Sequence, residues 1–133
     1  MTCVLIDTSV WIEYFRGSNA VDAGLLNGFI DNNQICTNDL ILAELIPSLK
    51  IKNESNLIET LMAVRANPIV IDWKEIIDFQ TINMKNGINN VGIPDLILLQ
   101  HVIRHNLSLA TIDKHFTLMS GHFDFHLIEI KRR

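Results

Sequence analysis

The segment CVLIDTSVWIEYF, residues Cys3 to Phe15, is the most informative part of the chain for its fold. An apolar run with β-branched residues ends at Asp7, and apolar side chains then recur at helical spacing. This order predicts a short buried strand over Cys3–Asp7 and a helix over Thr8–Phe15. Asp7 therefore stands between a strand and a helix, where a carboxylate either caps the helix or takes part in a chemical site.

Strand-like and helix-like segments alternate along the remainder of the chain. Apolar periodicity predicts further helices over Val21–Ile30, Leu40–Leu49, Leu57–Val64, Trp73–Lys85 and Asp95–Asn106. Asn38 is suited to be the N-cap of the second of these, and Pro47 is expected to kink or shorten it. Short apolar runs predict strands at Gln34–Thr37, Ile69–Ile71, Leu107–Thr111 and Asp124–Ile130, with a turn at IDKHF, residues 112–116.

This alternation is typical of an α/β fold in which helices cover both faces of a parallel sheet. We therefore expect a three-layer α/β/α architecture with a short, mainly parallel sheet. The length of 133 residues suits one domain, and neither a linker nor an internal repeat divides the chain. The predicted organisation is a single domain over residues 1–133.

The chain is rich in apolar residues, with 48% hydrophobic side chains and a mean hydropathy of +0.23. Its apolar runs are shorter than the roughly 18 residues that a membrane span requires, so we expect no membrane segment. The N-terminus shows none of the features of a secretion signal, which favours a cytoplasmic location. Cys3 and Cys36 have the spacing of neither a disulfide framework nor a metal site, and we expect both to pack in the core.

The net charge of −4 argues at first against a nucleic-acid partner, because Lys and Arg supply most of the affinity for phosphates. If four carboxylates belong to one metal site, however, the remaining eleven acids equal the eleven Lys and Arg residues. The charge balance therefore leaves a nucleic-acid partner open. The basic tail Lys131, Arg132 and Arg133 is more typical of a solvated chain end than of a binding site.

Three aspartates occupy positions where ligands collect in parallel sheets, at strand ends and helix starts. Asp7 ends the first strand, Asp95 lies in the first turn of a helix behind Pro94, and Asp113 follows strand LSLAT by two residues. Each aspartate alone is also a good helix cap. Position by itself therefore leaves capping and chemistry both open.

Glu44 is less easily explained as a surface charge. On a helical wheel it falls between Leu40 and Ile41, within the apolar segment LILAELI. A buried carboxylate would bind a cation, gain hydrogen bonds or shift its pKa, whereas a partly exposed helix edge would need none of these. Several carboxylates without a nearby cysteine suit Mg²⁺ or Mn²⁺, and such ions promote phosphodiester hydrolysis.

With these acids placed, the sequence resembles the PIN-domain nucleases, and within them the VapC-like toxins of type II toxin–antitoxin systems. The resemblance covers nearly the whole chain. Its motifs are VLIDTSVWIEYF with Asp7, LILAEL with Glu44, IPDLILLQ with Asp95 and ATIDKHF with Asp113. Together, in this order and spacing, the four motifs are specific, while each one alone is weak.

The resemblance implies a Mg²⁺- or Mn²⁺-dependent endoribonuclease in which Asp7, Glu44, Asp95 and Asp113 hold one or two metal ions. It further implies an RNA substrate, a homodimer and inhibition by a small cognate antitoxin protein. Hydroxyl side chains that support the acids or the substrate in this family correspond here to Thr8, Ser9 and Thr111.

The last motif departs from the family pattern at two positions. Ile112 stands where a polar residue often precedes the fourth acid, and His115 stands where a further aspartate often follows it. The metal would then be bound more weakly at this corner, or His115 would contact substrate instead. Lys114 is a candidate phosphate contact because it adjoins Asp113.

Other functions fit the sequence less well. A catalytically impaired PIN-like module that binds RNA or protein remains an alternative because of the altered last motif. A receiver-type signalling domain needs a pair of acids after the first strand, which here ends in Asp7 alone. A phosphatase of the haloacid dehalogenase type needs an aspartate where Ser9 stands. His101 and His105 have ligand-compatible spacing, but no HExxH motif accompanies them.

Overall fold

The first strand occupies the interior of a four-stranded sheet in the computed structural model, which describes residues 3–131. The strands are β1 (Val4–Ile6), β2 (Ile35–Cys36), β3 (Ser108–Thr111) and β4 (His126–Glu129). Their order is β2-β1-β3-β4, and every neighbouring pair is parallel. Leu5 pairs with Cys36 on one side and with Leu109 on the other. β1 and β3 are buried along their whole length, as near-continuous apolar runs in parallel sheets usually are.

Seven helices connect and flank these strands in the described part of the chain. They are α1 (Thr8–Phe15), α2 (Ala23–Asp31), α3 (Asp39–Ile51), α4 (Ser55–Met62), α5 (Trp73–Lys85), α6 (Ile93–Arg104) and α7 (Lys114–Met119). Helix α3 packs against α1 and α4, whereas α5 packs against α6. The predicted three-layer α/β/α architecture with a parallel sheet is confirmed.

Helix starts follow the capping signals of the sequence. The side chain of Asn38 accepts a hydrogen bond from the Ile41 N–H at 3.0 Å, so the predicted N-cap of α3 is confirmed. Pro47 was predicted to kink or shorten this helix, and it does not shorten it, because α3 continues through Pro47 to Ile51. The start of α3 is therefore fixed close to the carboxyl end of β2.

The aromatic residues after the first strand belong to the core. Trp11 is 1% exposed, and its ring stacks on that of Phe15 with centroids 5.5 Å apart. Cys36 is fully buried, as predicted, whereas Cys3 is half-buried. These contacts tie α1 closely to the sheet at the point where Asp7 ends the first strand.

Two predicted elements differ from the structure. The predicted strand at Ile69–Ile71 is wrong: this segment pairs with no strand, and Val70 is 54% exposed. Beside β2, an isolated parallel bridge instead joins Thr37 to Ala66. The predicted turn at residues 112–116 is also wrong at its end, because helix α7 begins at Lys114, directly after the N-cap Asp113.

None of the helices within residues 3–131 has the length and apolar character needed to cross a membrane. Arg132 and Arg133 of the basic tail lie outside the described residues.

Candidate metal centre

The four acidic residues of the sequence motifs come from four different elements. Asp7 follows β1 and Asp113 follows β3, and these strands are parallel neighbours in the sheet. The two aspartates therefore lie at the same edge of the sheet. Asp95 lies in the first turn of α6, and Glu44 lies in the second turn of α3.

Asp7 occupies the N-cap position of α1, but its side chain makes no cap hydrogen bond. Its Oδ2 instead accepts hydrogen bonds from the Ser9 hydroxyl at 2.9 Å and from the Thr111 hydroxyl at 2.7 Å. Asp7 is only 6% exposed, and this burial raises its pKa despite the opposing effect of both hydroxyls. The carboxylate is thus held in one orientation by side chains rather than used to start the helix.

The Thr111 hydroxyl connects two of the acids. It donates to Asp7 Oδ2 and accepts the backbone N–H of Asp113 at 3.0 Å. Asp113 in turn caps α7, where its Oδ1 accepts the His115 N–H at 2.9 Å. Thr111 therefore fixes the end of β3 against the end of β1.

Glu44 is exposed, so of the two alternatives left by the sequence the exposed helix edge is the one observed. The buried stripe of α3 consists of Ile41, Leu45 and Leu49, and Glu44 lies beside this stripe rather than within it. Its Oε1 accepts a hydrogen bond from the Thr8 hydroxyl at 3.0 Å. This contact holds Glu44 next to the start of α1, because Thr8 is the first residue of that helix and directly follows Asp7.

The acids influence one another electrostatically. The pKa of Asp95 is raised from 3.8 to about 6, chiefly because the carboxyl is partly buried and then because of the charges of Asp113 and Asp7. Glu44 raises it further, while His115 lowers it. The other three acids of the sequence motifs therefore lie within electrostatic reach of Asp95.

His115 lies between two of the acids. Its Nδ1 is 3.5 Å from Asp113 Oδ1 and 4.0 Å from Asp95 Oδ2. One potential ligand atom from each of these three residues lies within 4.8 Å of the other two. The donor set of carboxylates and an imidazole fits a divalent cation. From the sequence we expected either that His115 contacts substrate or that the metal is bound more weakly beside Asp113. The only sequence signal for the position of His115 between the two acids was its spacing from Asp113.

The remaining candidates stand apart from this cluster. Lys114 is the first residue of α7 and is exposed, while Ile112 packs against the core. His101 is buried against the His105 ring, with centroids 4.6 Å apart, and burial lowers its pKa to about 4. Within residues 3–131, Asp95, Asp113 and His115 form the one group of three potential metal ligands within 4.8 Å of one another, and this group includes neither Asp7 and Glu44 nor His101 and His105.

Solved structures share this fold across nearly their whole length. A chain of the DNA-bound VapBC complex from Salmonella typhimurium superimposes with a TM-score of 0.73 at 15% identity, covering 96% of this chain and 98% of that one. A chain of the VapBC2 complex from Rickettsia felis, bound to a promoter DNA fragment, gives 0.72 at 20% identity with the same coverage. A chain of FitAcB from Neisseria gonorrhoeae gives 0.68 at 18% identity, covering 95% of this chain and 96% of that one.

Sequence comparisons place the chain in a family. No curated protein sequence matches it significantly. The family model described as the PIN domain matches residues 4–121, which include all four acids of the candidate site. Because this match spans most of the chain and the fold agrees with it, the chain belongs to the PIN domain family.

Proposed function

We propose that this protein is a metal-dependent endoribonuclease and acts as the toxin of a toxin–antitoxin pair. The observation that carries the proposal is the grouping of Asp95 and Asp113 with His115, with Asp7 and Glu44 near enough for their charges to raise the pKa of Asp95. Membership of the PIN domain family supports a nuclease, since the resemblance to this family implies metal-dependent hydrolysis of phosphodiesters.

Asp7, Glu44, Asp95 and Asp113 would hold Mg²⁺ or Mn²⁺. A divalent cation bound there would supply the Lewis acidity that polarises the scissile phosphate and lowers the pKa of an attacking water. Burial and then the nearby charges of Asp113 and Asp7 raise the pKa of Asp95, and a bound cation would offset both effects, which supports this assignment.

The hydroxyl side chains prepare the acids for this role. Ser9 and Thr111 hold one oxygen of Asp7, and Thr8 holds one oxygen of Glu44. Ligands that are oriented before the ion arrives need less rearrangement when it binds. Thr8, Ser9 and Thr111 are accordingly proposed as positioning residues.

The proposed substrate is RNA in the cytoplasm. Lys114 is exposed one residue after Asp113, where its ammonium group could meet a backbone phosphate at the mouth of the site. By family resemblance the cleavage would leave a 5′-phosphate and a 3′-hydroxyl.

The proposed partners are a small antitoxin and a second copy of this chain. The Salmonella typhimurium and Rickettsia felis structures are VapBC complexes bound to DNA, and a further similar structure is a toxin–antitoxin complex from Klebsiella pneumoniae. In this chain a groove beside α1, α3 and α4 is lined by apolar residues, among them Ile12, Phe15, Leu49 and Leu57, and by the charged residues Arg16, Lys52 and Glu54. That groove offers apolar surface to a partner protein.

RNA cleavage in the presence of Mg²⁺ or Mn²⁺ tests the proposal. Wild type should cleave, Asp7→Asn should not, and EDTA should abolish cleavage by wild type. Asp78→Asn is the matched control, because Asp78 is exposed on α5 and should be dispensable. Equal cleavage by wild type and Asp7→Asn, or full activity in EDTA, would refute the assignment.

A catalytically impaired binding module is the second candidate. It is favoured by Ile112 and His115, which replace polar and acidic residues of the family's last motif. Isothermal titration calorimetry distinguishes the two candidates, since a nuclease should bind divalent ions in a manner that depends on Asp95. Absence of such binding, together with RNA binding that survives in EDTA, would favour the module.

A further inference from the structure

The ring of His115 is turned toward two carboxylates of the candidate metal centre. We propose that His115 is a direct nitrogen ligand of the bound cation and that it gives this site a preference for Mn²⁺ over Mg²⁺. The inference rests on the proposed metal-dependent function and specifies which ion the site selects.

The separations around Nδ1 support a shared ion better than a direct hydrogen bond. N–H···O bonds between charged groups are about 2.7–2.9 Å long, whereas Nδ1 lies 3.5 Å from Asp113 Oδ1 and 4.0 Å from Asp95 Oδ2. Ligand atoms around one octahedral ion, with bonds of about 2.1 Å, lie about 3 Å apart when adjacent and about 4 Å apart when opposite. The 4.0 Å separation is close to the value for opposite ligands, and the 3.5 Å separation lies between the two values.

The backbone fixes this placement. Asp113 caps α7 by accepting the His115 N–H at 2.9 Å, so the two residues are held together at the first turn of the helix. The side chains of His115, Asp95 and Asp113 are 26%, 27% and 31% exposed. All three are therefore constrained by their surroundings and still open to an ion from solution.

Two carboxylates face Nδ1 of His115, and this arrangement favours either a hydrogen atom or a metal ion on that nitrogen. A neutral imidazole that directs the lone pair of Nδ1 at two carboxylates would be repelled by both of them. Either a proton on Nδ1 or a metal ion between the three groups removes this repulsion. These two possibilities predict opposite effects on metal affinity when the imidazole is removed: loss of a ligand weakens binding, whereas loss of a competing proton does not.

The chemical consequence of a nitrogen ligand is a change in metal preference. Mg²⁺ is a hard ion that keeps oxygen ligands and releases its waters reluctantly. Mn²⁺ also takes carboxylate ligands, but as a transition-metal ion it is less hard than Mg²⁺ and accepts an imidazole nitrogen more readily. Replacing an acid of the last motif by His115 should therefore favour Mn²⁺.

Metal titration by calorimetry tests the inference with wild type, His115→Ala and His115→Asp. His122→Ala is the matched control, because His122 is exposed beyond the end of α7. Loss even of groups that only orient a ligand costs about 10–100-fold in metal affinity. We therefore expect His115→Ala to weaken Mn²⁺ binding at least about tenfold and to weaken Mg²⁺ binding less. His115→Asp should restore Mg²⁺ binding and remove the Mn²⁺ preference.

Electron spin echo spectroscopy of bound Mn²⁺ provides a readout that does not depend on activity. Wild type and His122→Ala should show ¹⁴N coupling from a bound imidazole, and His115→Asp should not. Equal or tighter binding of both ions by His115→Ala would mean that a protonated His115 competes with the metal, and would overturn the inference. Asp95-dependent binding without ¹⁴N coupling would overturn it while leaving the proposed nuclease intact. Absence of divalent binding by wild type would overturn both.

Discussion

The Thr111 hydroxyl donates a hydrogen bond of 2.7 Å to Asp7 Oδ2, joining residues that are 104 positions apart in the chain. The same oxygen accepts the backbone N–H of Asp113. One side chain thereby sets the relative positions of two acids of the candidate metal centre. The contact is possible because β1 and β3 are parallel neighbours, so that their carboxyl ends lie side by side.

Replacement of Thr111 by valine should therefore weaken metal binding without removing a metal ligand. The buried Asp7 oxygen would lose one hydrogen bond, which should cost about 1–3 kcal/mol of unfolding free energy. Metal affinity should fall about 10–100-fold. Thr81→Val is the control, since the Thr81 hydroxyl is exposed on α5 and bonds to the Ile77 carbonyl. Unchanged affinity in Thr111→Val, measured by calorimetry, would contradict a positioning role.

Asp7→Asn should change activity and stability in opposite directions. RNA cleavage should fall at least about 100-fold, as expected when electrostatic support of a transition state is lost. The metal-free protein should become more stable by about 1 kcal/mol, because an amide replaces a buried carboxylate and can still accept the Ser9 and Thr111 hydroxyls. Thermal unfolding in EDTA measures this gain. A loss of both activity and stability would instead indicate a structural role.

Glu44→Gln should affect the site but not the fold. Glu44 is exposed, so the substitution should change unfolding free energy by less than about 0.5 kcal/mol. Cleavage should nevertheless fall at least about tenfold, since Glu44 is proposed to hold the metal. Glu59→Gln, at an exposed position of α4, is the control for charge removal. Wild-type cleavage by Glu44→Gln at saturating Mn²⁺ would exclude Glu44 as a required ligand.

Asp95 should make the stability of the metal-free protein depend on pH. Its pKa in the folded protein is about 6, above the ordinary value of 3.8, so the folded state holds this proton more tightly than the unfolded chain. The contribution of Asp95 to the free energy of unfolding is fully present below about pH 4 and is lost as the pH rises through 6. Because the side chain is 27% exposed, solvent reduces the effect to about 2 kcal/mol.

Urea unfolding of wild type and Asp95→Asn in EDTA, from pH 4 to pH 7.5, isolates this contribution. The variant should be the more stable protein above pH 6, and the difference should shrink toward pH 4. A saturating divalent cation should stabilise wild type at pH 7 and should stabilise the variant much less. A difference that does not vary with pH would contradict the raised pKa.

The order and type of most elements follow from apolar periodicity. Helices α1 and α5 begin and end where the pattern predicts, at Thr8–Phe15 and Trp73–Lys85. The strand predicted at Ile69–Ile71 is absent, although three apolar β-branched residues are typical of a strand. A segment becomes a strand only where a neighbouring strand edge is available for pairing, and the local sequence does not specify that edge. Helix α7 has only six residues, too few to show a period.

The acids of the candidate site could be proposed from the sequence because each of them lies beside a recognisable element boundary or within a family motif. Their environments could not be identified in the same way. The helical wheel treated all apolar residues of α3 as equally buried, although the core contact involves Ile41, Leu45 and Leu49, and Glu44 is exposed.

Local patterns were thus sufficient for the α/β class and for the positions of Asp7, Asp95 and Asp113 at element ends, while the hydroxyls near them were predicted from the family resemblance. Packing alone established that Thr111 joins Asp7 to Asp113 and that the His115 ring lies between Asp95 and Asp113. The physical reason is the distance along the chain over which each kind of interaction acts. Periodicity and capping act over a few residues, whereas side-chain orientation at the site depends on the register of β1 against β3 and on how α6 and α7 meet.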